Sequence, residues 1–310
     1  MKLHVKGRGV GCGRVAASVA ALGVCFWTLV CGELFCRYYL GLGTPPLSIT
    51  HPTIEYMWAP NQDLYRFGNH VLINKFGMRS SDFPIEKPSG EFRALVVGDS
   101  VIGGGALTDQ AELATDILSV DGALYLNASA GSWGPQNEEA YINQFGTFNA
   151  DMLILVLSTH DAGDVPSFAA LNPATHPTET PWFALSEAAS RYLPRYMPWR
   201  EAPKEIVRPA AKSALAAIAR MTRLNIPVCV ITHADRLENS SGIRGDGYSD
   251  IVSGVSSVLI IDDAHFIADS GYRDVIHLNK EGQTGLSRAM AKCRSVLFPD
   301  GTASLNYNAP

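Results

Sequence analysis

The run Arg93-Ala94-Leu95-Val96-Val97-Gly98-Asp99-Ser100 constrains this chain more than any other stretch. A short apolar segment with charge before it and Gly-Asp-Ser after it reads as a strand buried on both faces of a parallel sheet. Such a strand needs partners on its edges and helices over its faces. The chain supplies both. Further short apolar runs at 123–126, 152–157, 228–232 and 258–262 alternate with helical stretches, one starting near Asp109 and carrying Leu113 and Ile117 inward, one through Tyr141, one over 209–223 and one over 280–297. Strands alternating with helices predict an α/β chain with a central parallel sheet covered on both sides. With 310 residues, 46% of them hydrophobic, one sizeable core with appendages is the natural count.

The end of the first strand is also where chemistry is expected, because open α/β sheets place ligands at the carboxyl ends of their strands. Ser100 is delivered there. Gly103, Gly104 and Gly105 follow and allow a tight turn with main-chain N–H groups facing a ligand. A Gly-Asp-Ser tripeptide alone is an ordinary turn. The α/β-hydrolase elbow, Gly-x-Ser-x-Gly, is ruled out by Ile102, and neither a P-loop nor a dinucleotide fingerprint is present. What raises Ser100 to a candidate nucleophile is Asp274-Val275-Ile276-His277 near the other end of the chain. A serine attacks when a base takes its proton, and an imidazole needs an acceptor on its other nitrogen to fix the tautomer. An aspartate three residues before a histidine, in a loop leading to a helix capped by Asn279, can supply that acceptor.

Gly98-Asp99-Ser100, a central glycine block and Asp274-x-x-His277 together resemble the SGNH (GDSL-type) hydrolase superfamily, over roughly residues 92–297. The resemblance implies a three-layer αβα, flavodoxin-like fold, Ser100 as nucleophile, His277 as base and Asp274 as its orienting acid. It also implies an oxyanion hole made by the Ser100 N–H, a glycine N–H and an asparagine amide. The glycine block is Asn127-Ala128-Ser129-Ala130-Gly131-Ser132-Trp133-Gly134, with Gly131 the first candidate donor and Gly134 the second. At the asparagine block the chain departs from the pattern. Ser158-Thr159-His160-Asp161 stands where Asn-Asp is expected, so His160 occupies the place of the amide donor. An imidazole can also donate to a developing oxyanion, and a protonated one would make the site pH-dependent. A structural histidine bonded to a carbonyl and a substrate contact are the other readings of His160.

The N-terminus carries Lys2, Lys6, Arg8 and Arg14 and no acid over residues 1–14, followed by an almost wholly apolar stretch over residues 15–36 with Glu33 near its end. That length approaches a bilayer span. The basic flank would stay in the cytoplasm, making the protein single-pass in a bacterial inner membrane with residues 37–310 in the periplasm or beyond; a cleaved signal peptide is the alternative. A net charge of −5, without zinc-finger spacing, RNP sequence or basic helix, argues against a nucleic-acid surface. Cys12, Cys25, Cys31 and Cys36 lie in or beside the apolar stretch. Cys229 and Cys293 are expected as two separate buried thiols, with a disulfide between them as the alternative in an oxidising compartment. Neither has metal-ligand spacing with the histidines, and no metal or organic cofactor is implied.

Residues 37–90 read as a linker and a small subregion, with Gly43-Thr44-Pro45-Pro46 a stiff spacer and a hairpin over 65–74 turning at Gly68-Asn69. Asn74-Lys75-Phe76-Gly77-Met78-Arg79 reads as a brace for the domain at 91–298. Within that domain, residues 162–208 are too long for an ordinary connection and rich in proline and aromatics, among them Trp182, Tyr196, Pro198 and Trp199. They read either as a lid walling a groove beside the serine or as a self-packed insertion. Asp99, Trp133, Asp161 and Trp182 are the candidate substrate contacts. Residues 239–247 read as a loop, His233 and His265 as loop histidines without an assigned role, and 299–310 as a tail. The expected activity is that of an extracytoplasmic serine esterase removing O-acyl, chiefly O-acetyl, groups from cell-surface or exported polysaccharide. Its partners would be the acylated carbohydrate, the membrane and polysaccharide biosynthesis or export machinery. An O-acetyltransferase using the same triad and an inactive glycan-binding protein of the same fold remain open at this point.

Overall fold

A computed structural model of the chain describes residues 11–120, 122–173, 175–193, 214–255 and 258–299. The chain divides into two units, one of residues 1–44 with 180–199 and one of residues 45–179 with 200–310.

In the second unit, β1 (Ser48–His51) pairs antiparallel with β2 (Glu55–Trp58), and β3 (Gln62–Arg66) with β4 (Asn69–Ile73). The second hairpin was expected to turn at Gly68-Asn69. It turns one residue earlier, at Phe67 and Gly68, both at positive φ (51° and 82°), the conformation a two-residue hairpin turn demands. The parallel sheet follows with β5 (Phe92–Gly98), β6 (Ala123–Ser129), β7 (Met152–Ser158), β8 (Val228–His233) and β9 (Leu259–Asp262) in the order β6-β5-β7-β8-β9. Every neighbouring pair is parallel. This is the doubly wound order 2-1-3-4-5, whose direction of winding reverses between β5 and β7.

Side chains alternate across the sheet with period two, as the pleat requires. Leu95 and Val97 of β5, with Leu153, Leu155 and Leu157 of β7, face one core, which is completed by α4 (Pro135–Phe145), α6 (Ala214–Met221) and α8 (Asp246–Gly254) through Tyr141, Ile218 and Ile251. Ala94 and Val96, with Met152, Ile154 and Val156, face the other, which is closed by α3 (Ala114–Leu118) and α9 (Lys280–Leu297) through Ala114, Leu286, Ala289 and Met290. Three layers, αβα, result. The α9 boundaries and its Asn279 cap are those expected, the Asn279 side chain accepting from the Glu281 and Gly282 N–H groups.

Several expectations are corrected. Cys229 of β8 and Cys293 of α9 are joined in a disulfide rather than held as separate thiols. The packing of α9 against the sheet brings the two together, and spacing in sequence gives no sign of it. The stretch 239–247 is mostly helical. Asp235 caps α7 (Arg236–Ser241) by accepting from the Glu238 N–H while the Glu238 side chain accepts from the Asp235 N–H, a capping box whose Asp-x-x-Glu signature was legible. α8 then starts at Asp246. The helix expected near Asp109 is a short 3₁₀ turn over Gln110–Glu112 followed by α3, with Leu113 buried and Ile117 only partly so.

In the first unit, α1 (Gly11–Leu34) continues as a π-helical turn, Phe35–Tyr39, and the span Gly13–Tyr39 is long and apolar enough to cross a membrane. Residues 180–193 pack with it and form α5 (Ala184–Tyr192). The Glu33 carboxylate accepts from the Ala184 and Leu185 N–H groups, which explains an acid at the end of an apolar run: it caps α5. Residues 1–10 and 300–310, and the lid candidates Tyr196, Pro198 and Trp199, lie outside the described residues.

Candidate active site

Three chain segments meet at the carboxyl end of the sheet. β5 ends at Gly98, Asp99 caps the one-turn helix α2 (Ser100–Gly103), and Asp99 Oδ1 accepts from the Val101 N–H at 2.8 Å. Ser100 is the first residue of that turn. Gly104 ends it at φ 65°, where a Cβ would lie 2.6 Å from Leu113 Cδ2, so both conformation and space demand glycine. The turn is held from two sides. Gln283 of α9 donates to the Val101 carbonyl at 2.8 Å, and Asn127 of β6 donates to the Ile102 carbonyl at 2.8 Å.

The loop before α9 brings His277. His277 Nε2 lies 2.8 Å from Ser100 Oγ, and His277 Nδ1 lies 2.9 and 3.0 Å from the two oxygens of Asp274. With Nδ1–H donating to Asp274, Nε2 is the nitrogen left to accept from the serine hydroxyl. Asp274 Oδ1 also accepts from the main-chain N–H groups of Ile276 and His277. Partial burial opposes ionisation of Asp274, but these N–H groups and the imidazole hold its carboxyl below the usual range. The site therefore keeps a fixed anion behind the imidazole, as proton transfer from serine requires.

A second histidine sets this loop. His233, at the end of β8, is wholly buried and donates from Nδ1 to Asp263 at 2.6 Å and from Nε2 to the Ile276 carbonyl at 2.9 Å. Burial pulls its pKa down, but the Asp263 charge and the two hydrogen bonds leave it raised. The Arg236 N–H donates to the Val275 carbonyl, and the Tyr272 hydroxyl to the Ala234 carbonyl. His233 thus positions the segment that carries His277. His265 is exposed.

Gly131 follows β6 at the same rim. Its carbonyl accepts from the Tyr56 hydroxyl at 2.6 Å and lies 3.4 Å from His176 Nε2. The Tyr56 and His176 rings pack 4.5 Å apart. Neither Tyr56 nor His176 was singled out by the sequence, since a tyrosine in a short hairpin and a histidine in a proline-rich stretch carry no motif. The space a Gly131 Cβ would fill is open.

His160 stands in a 3₁₀ turn, Thr159–Ala162, after β7. Its Nε2 lies 3.7 Å from Asp99 Oδ2, 3.7 Å from Asp161 Oδ1 and 3.6 Å from Asp164 Oδ2. Asp99 above all, against the opposing pull of burial, and then Asp161 and Asp164, push the His160 pKa up to about 9. Behind this cluster Glu138 is fully buried, and burial, with the nearby Asp99 charge, raises its carboxyl pKa well above the usual range.

Of the candidate substrate contacts, Asp99 is nearly buried and caps the Ser100 turn. Trp133 is a core residue rather than a contact. It is 1% exposed, donates from Nε1 to the Tyr56 carbonyl at 2.8 Å and packs on Tyr141. Asp161, also 1% exposed, accepts from the Ser158 N–H at 2.7 Å and turns its other oxygen toward His160, so it has no free face for a sugar. Trp182 is 90% exposed and belongs to the first unit, where its carbonyl accepts from Arg37. The expected brace is present: Arg79 is 1% exposed and donates to the carbonyls of His70, Gly103, Gly105 and Thr108 and to Gln110, fixing the loop after the serine. Burial lowers its pKa to about 10.

No family model matches the chain. No curated protein matches it either. Among solved structures it is similar to a GDSL-like lipase from Bacteroides ovatus (14% identity, TM-score 0.40, covering 67% of this chain and 54% of that one). It is similar as well to a member of the lipolytic protein G-D-S-L family from Veillonella parvula (12% identity, TM-score 0.40, 67% and 99% covered). A third likeness is to an acetyl xylan esterase from Butyrivibrio proteoclasticus (12% identity, TM-score 0.39, 68% and 66% covered). The chain thus spans about half the length of the first of these and two-thirds of the third.

Proposed function

We propose that this chain is a serine esterase of the SGNH type, acting outside the cytoplasm on O-acyl, chiefly O-acetyl, groups of cell-surface or exported polysaccharide. The observation that carries the reading is the 2.8 Å contact between Ser100 Oγ and His277 Nε2 with Asp274 on the opposite ring nitrogen.

His277 takes the serine proton as Oγ attacks the acyl carbon, and Asp274 stabilises the imidazolium that forms. The main-chain N–H groups of Ser100 and Gly131 receive the oxyanion. His160 joins them through Nδ1, since its Nε2 faces three carboxylates. His277 then gives its proton to the leaving sugar hydroxyl, and a water activated by the same imidazole resolves the acyl-enzyme. The substrate class and location rest on lesser supports. The apolar span Gly13–Tyr39 suits an anchor. The Cys229–Cys293 disulfide suits an oxidising compartment such as the bacterial periplasm.

The test is hydrolysis of p-nitrophenyl acetate and of acetylated xylan by the full chain and by Ser100→Ala. The expected outcome is a loss in kcat of about 10³-fold or more with the fold kept. Equal rates in the two proteins would remove the esterase.

A further inference from the structure

The three carboxylates around His160 Nε2 stand too far from it for hydrogen bonds and near enough to share an ion with it. A charge-assisted N–H···O contact closes to about 2.7–2.9 Å. Here one nitrogen stands 3.6–3.7 Å from three carboxylate oxygens and reaches none of them at that distance. Ligands at about 2.0–2.2 Å from a tetrahedral metal lie roughly 3.3–3.6 Å from one another, a little inside the distances from His160 Nε2 to these oxygens. The ligand atoms of Asp99, His160 and Asp161 all lie within 4.8 Å of one another.

A second observation is independent of that spacing. Asp161 is 1% exposed, its Oδ2 accepts from the Ser158 N–H, and its Oδ1, turned into the cluster, has no hydrogen-bond partner among the described residues. A buried carboxylate oxygen left unpaired is costly, and a cation is the partner that would satisfy it. Asp164 stands on the open side, with its Cβ region where a Gly134 side chain would otherwise lie: a Cβ at Gly134 would sit 2.9 Å from Asp164 Cβ.

We propose that Asp99 Oδ2, His160 Nε2 and Asp161 Oδ1 form a binding site for one divalent transition-metal ion, Zn²⁺ before Mn²⁺, on which the half-exposed Asp164 carboxylate closes from the solvent side when the ion is bound. One imidazole with two buried carboxylates suits these ions better than Ca²⁺, which takes six to eight oxygens. An ion on Nε2 also leaves Nδ1 as the protonated nitrogen of His160, the donor the oxyanion role calls for. The site itself does not depend on the esterase reading, because Ser100 contributes no ligand.

The test is equilibrium dialysis of the chelator-stripped full chain against ZnCl₂, MnCl₂ and CaCl₂, with bound metal counted by mass spectrometry. The expected result is one Zn²⁺ per chain, weakened about 100-fold or more by His160→Ala and by Asp164→Asn. His265→Ala and Ser100→Ala should bind as the unaltered chain does. Asp164 and the His160 ring are about half-exposed, so these variants should fold, and circular dichroism checks that they do. No Zn²⁺ or Mn²⁺ uptake, uptake indifferent to His160→Ala, or a preference for Ca²⁺ would each overturn the assignment. Loss of esterase activity in Ser100→Ala with metal binding intact separates the two proposals.

Discussion

Gln110 ties the buried Arg79 to the half-buried Asp116, accepting from Arg79 through Oε1 and donating from Nε2 to Asp116 at 2.8 Å. Burial nonetheless dominates at Asp116 and pushes its carboxyl pKa up to about 6. The native state then keeps a proton that the unfolded chain releases near pH 4, so this contribution to stability is present below pH 4 and fades as pH rises to about 6. Asp116→Asn should remove that decline, worth about 2 kcal/mol, from urea-unfolding curves taken between pH 4 and 6.5. At this scale Ser100, Asp274 and His277 were readable in sequence because Gly-Asp-Ser and Asp-x-x-His are each short patterns of fixed residue types, although 177 residues separate Ser100 from His277. Trp133 and Asp161 were misread as contacts. Whether a tryptophan beside a glycine faces solvent or core depends on what packs over it, here the β1–β2 hairpin through the Tyr56 carbonyl.

Among the elements, α9 does most to assemble the site. It buries Leu286, Ala289 and Met290 against the sheet, holds the Ser100 turn through Gln283, and is joined to β8 by the Cys229–Cys293 disulfide. The bridge spans 64 residues, so in the chain-entropy account it is worth about 4 kcal/mol. The double variant Cys229→Ala/Cys293→Ala should lose about that much in a denaturant-unfolding measurement, and an unchanged midpoint would show that the bridge does not form. The strands of the parallel sheet were legible as short apolar runs bounded by turn residues, and α9 by its Asn279 cap ahead of an amphipathic stretch. The hairpin β1–β2 was not, since four-residue strands beside prolines show too little alternation, and α7 was hidden by a polar sequence whose capping box was its only signal.

For the whole molecule, α1 with α5 forms one unit and the αβα domain another. The span Gly13–Tyr39 should keep the full chain in the membrane fraction after alkaline carbonate extraction. A shortened, soluble product would instead identify the segment as a cleaved signal. The sequence by itself determined the α/β class, the parallel sheet, the apolar N-terminal span and the choice of Ser100, Asp274 and His277 as the candidate triad, because each is written in local periodicity or in residue types a reaction cannot replace. Only the tertiary structure decided that two distant cysteines bond, that residues 180–193 pack with α1, and that Asp99, Asp161 and Asp164 come within 3.7 Å of His160. Those outcomes depend on which surfaces meet across the fold, and nothing in the spacing of residues along a chain records the distance between segments that the sheet brings together.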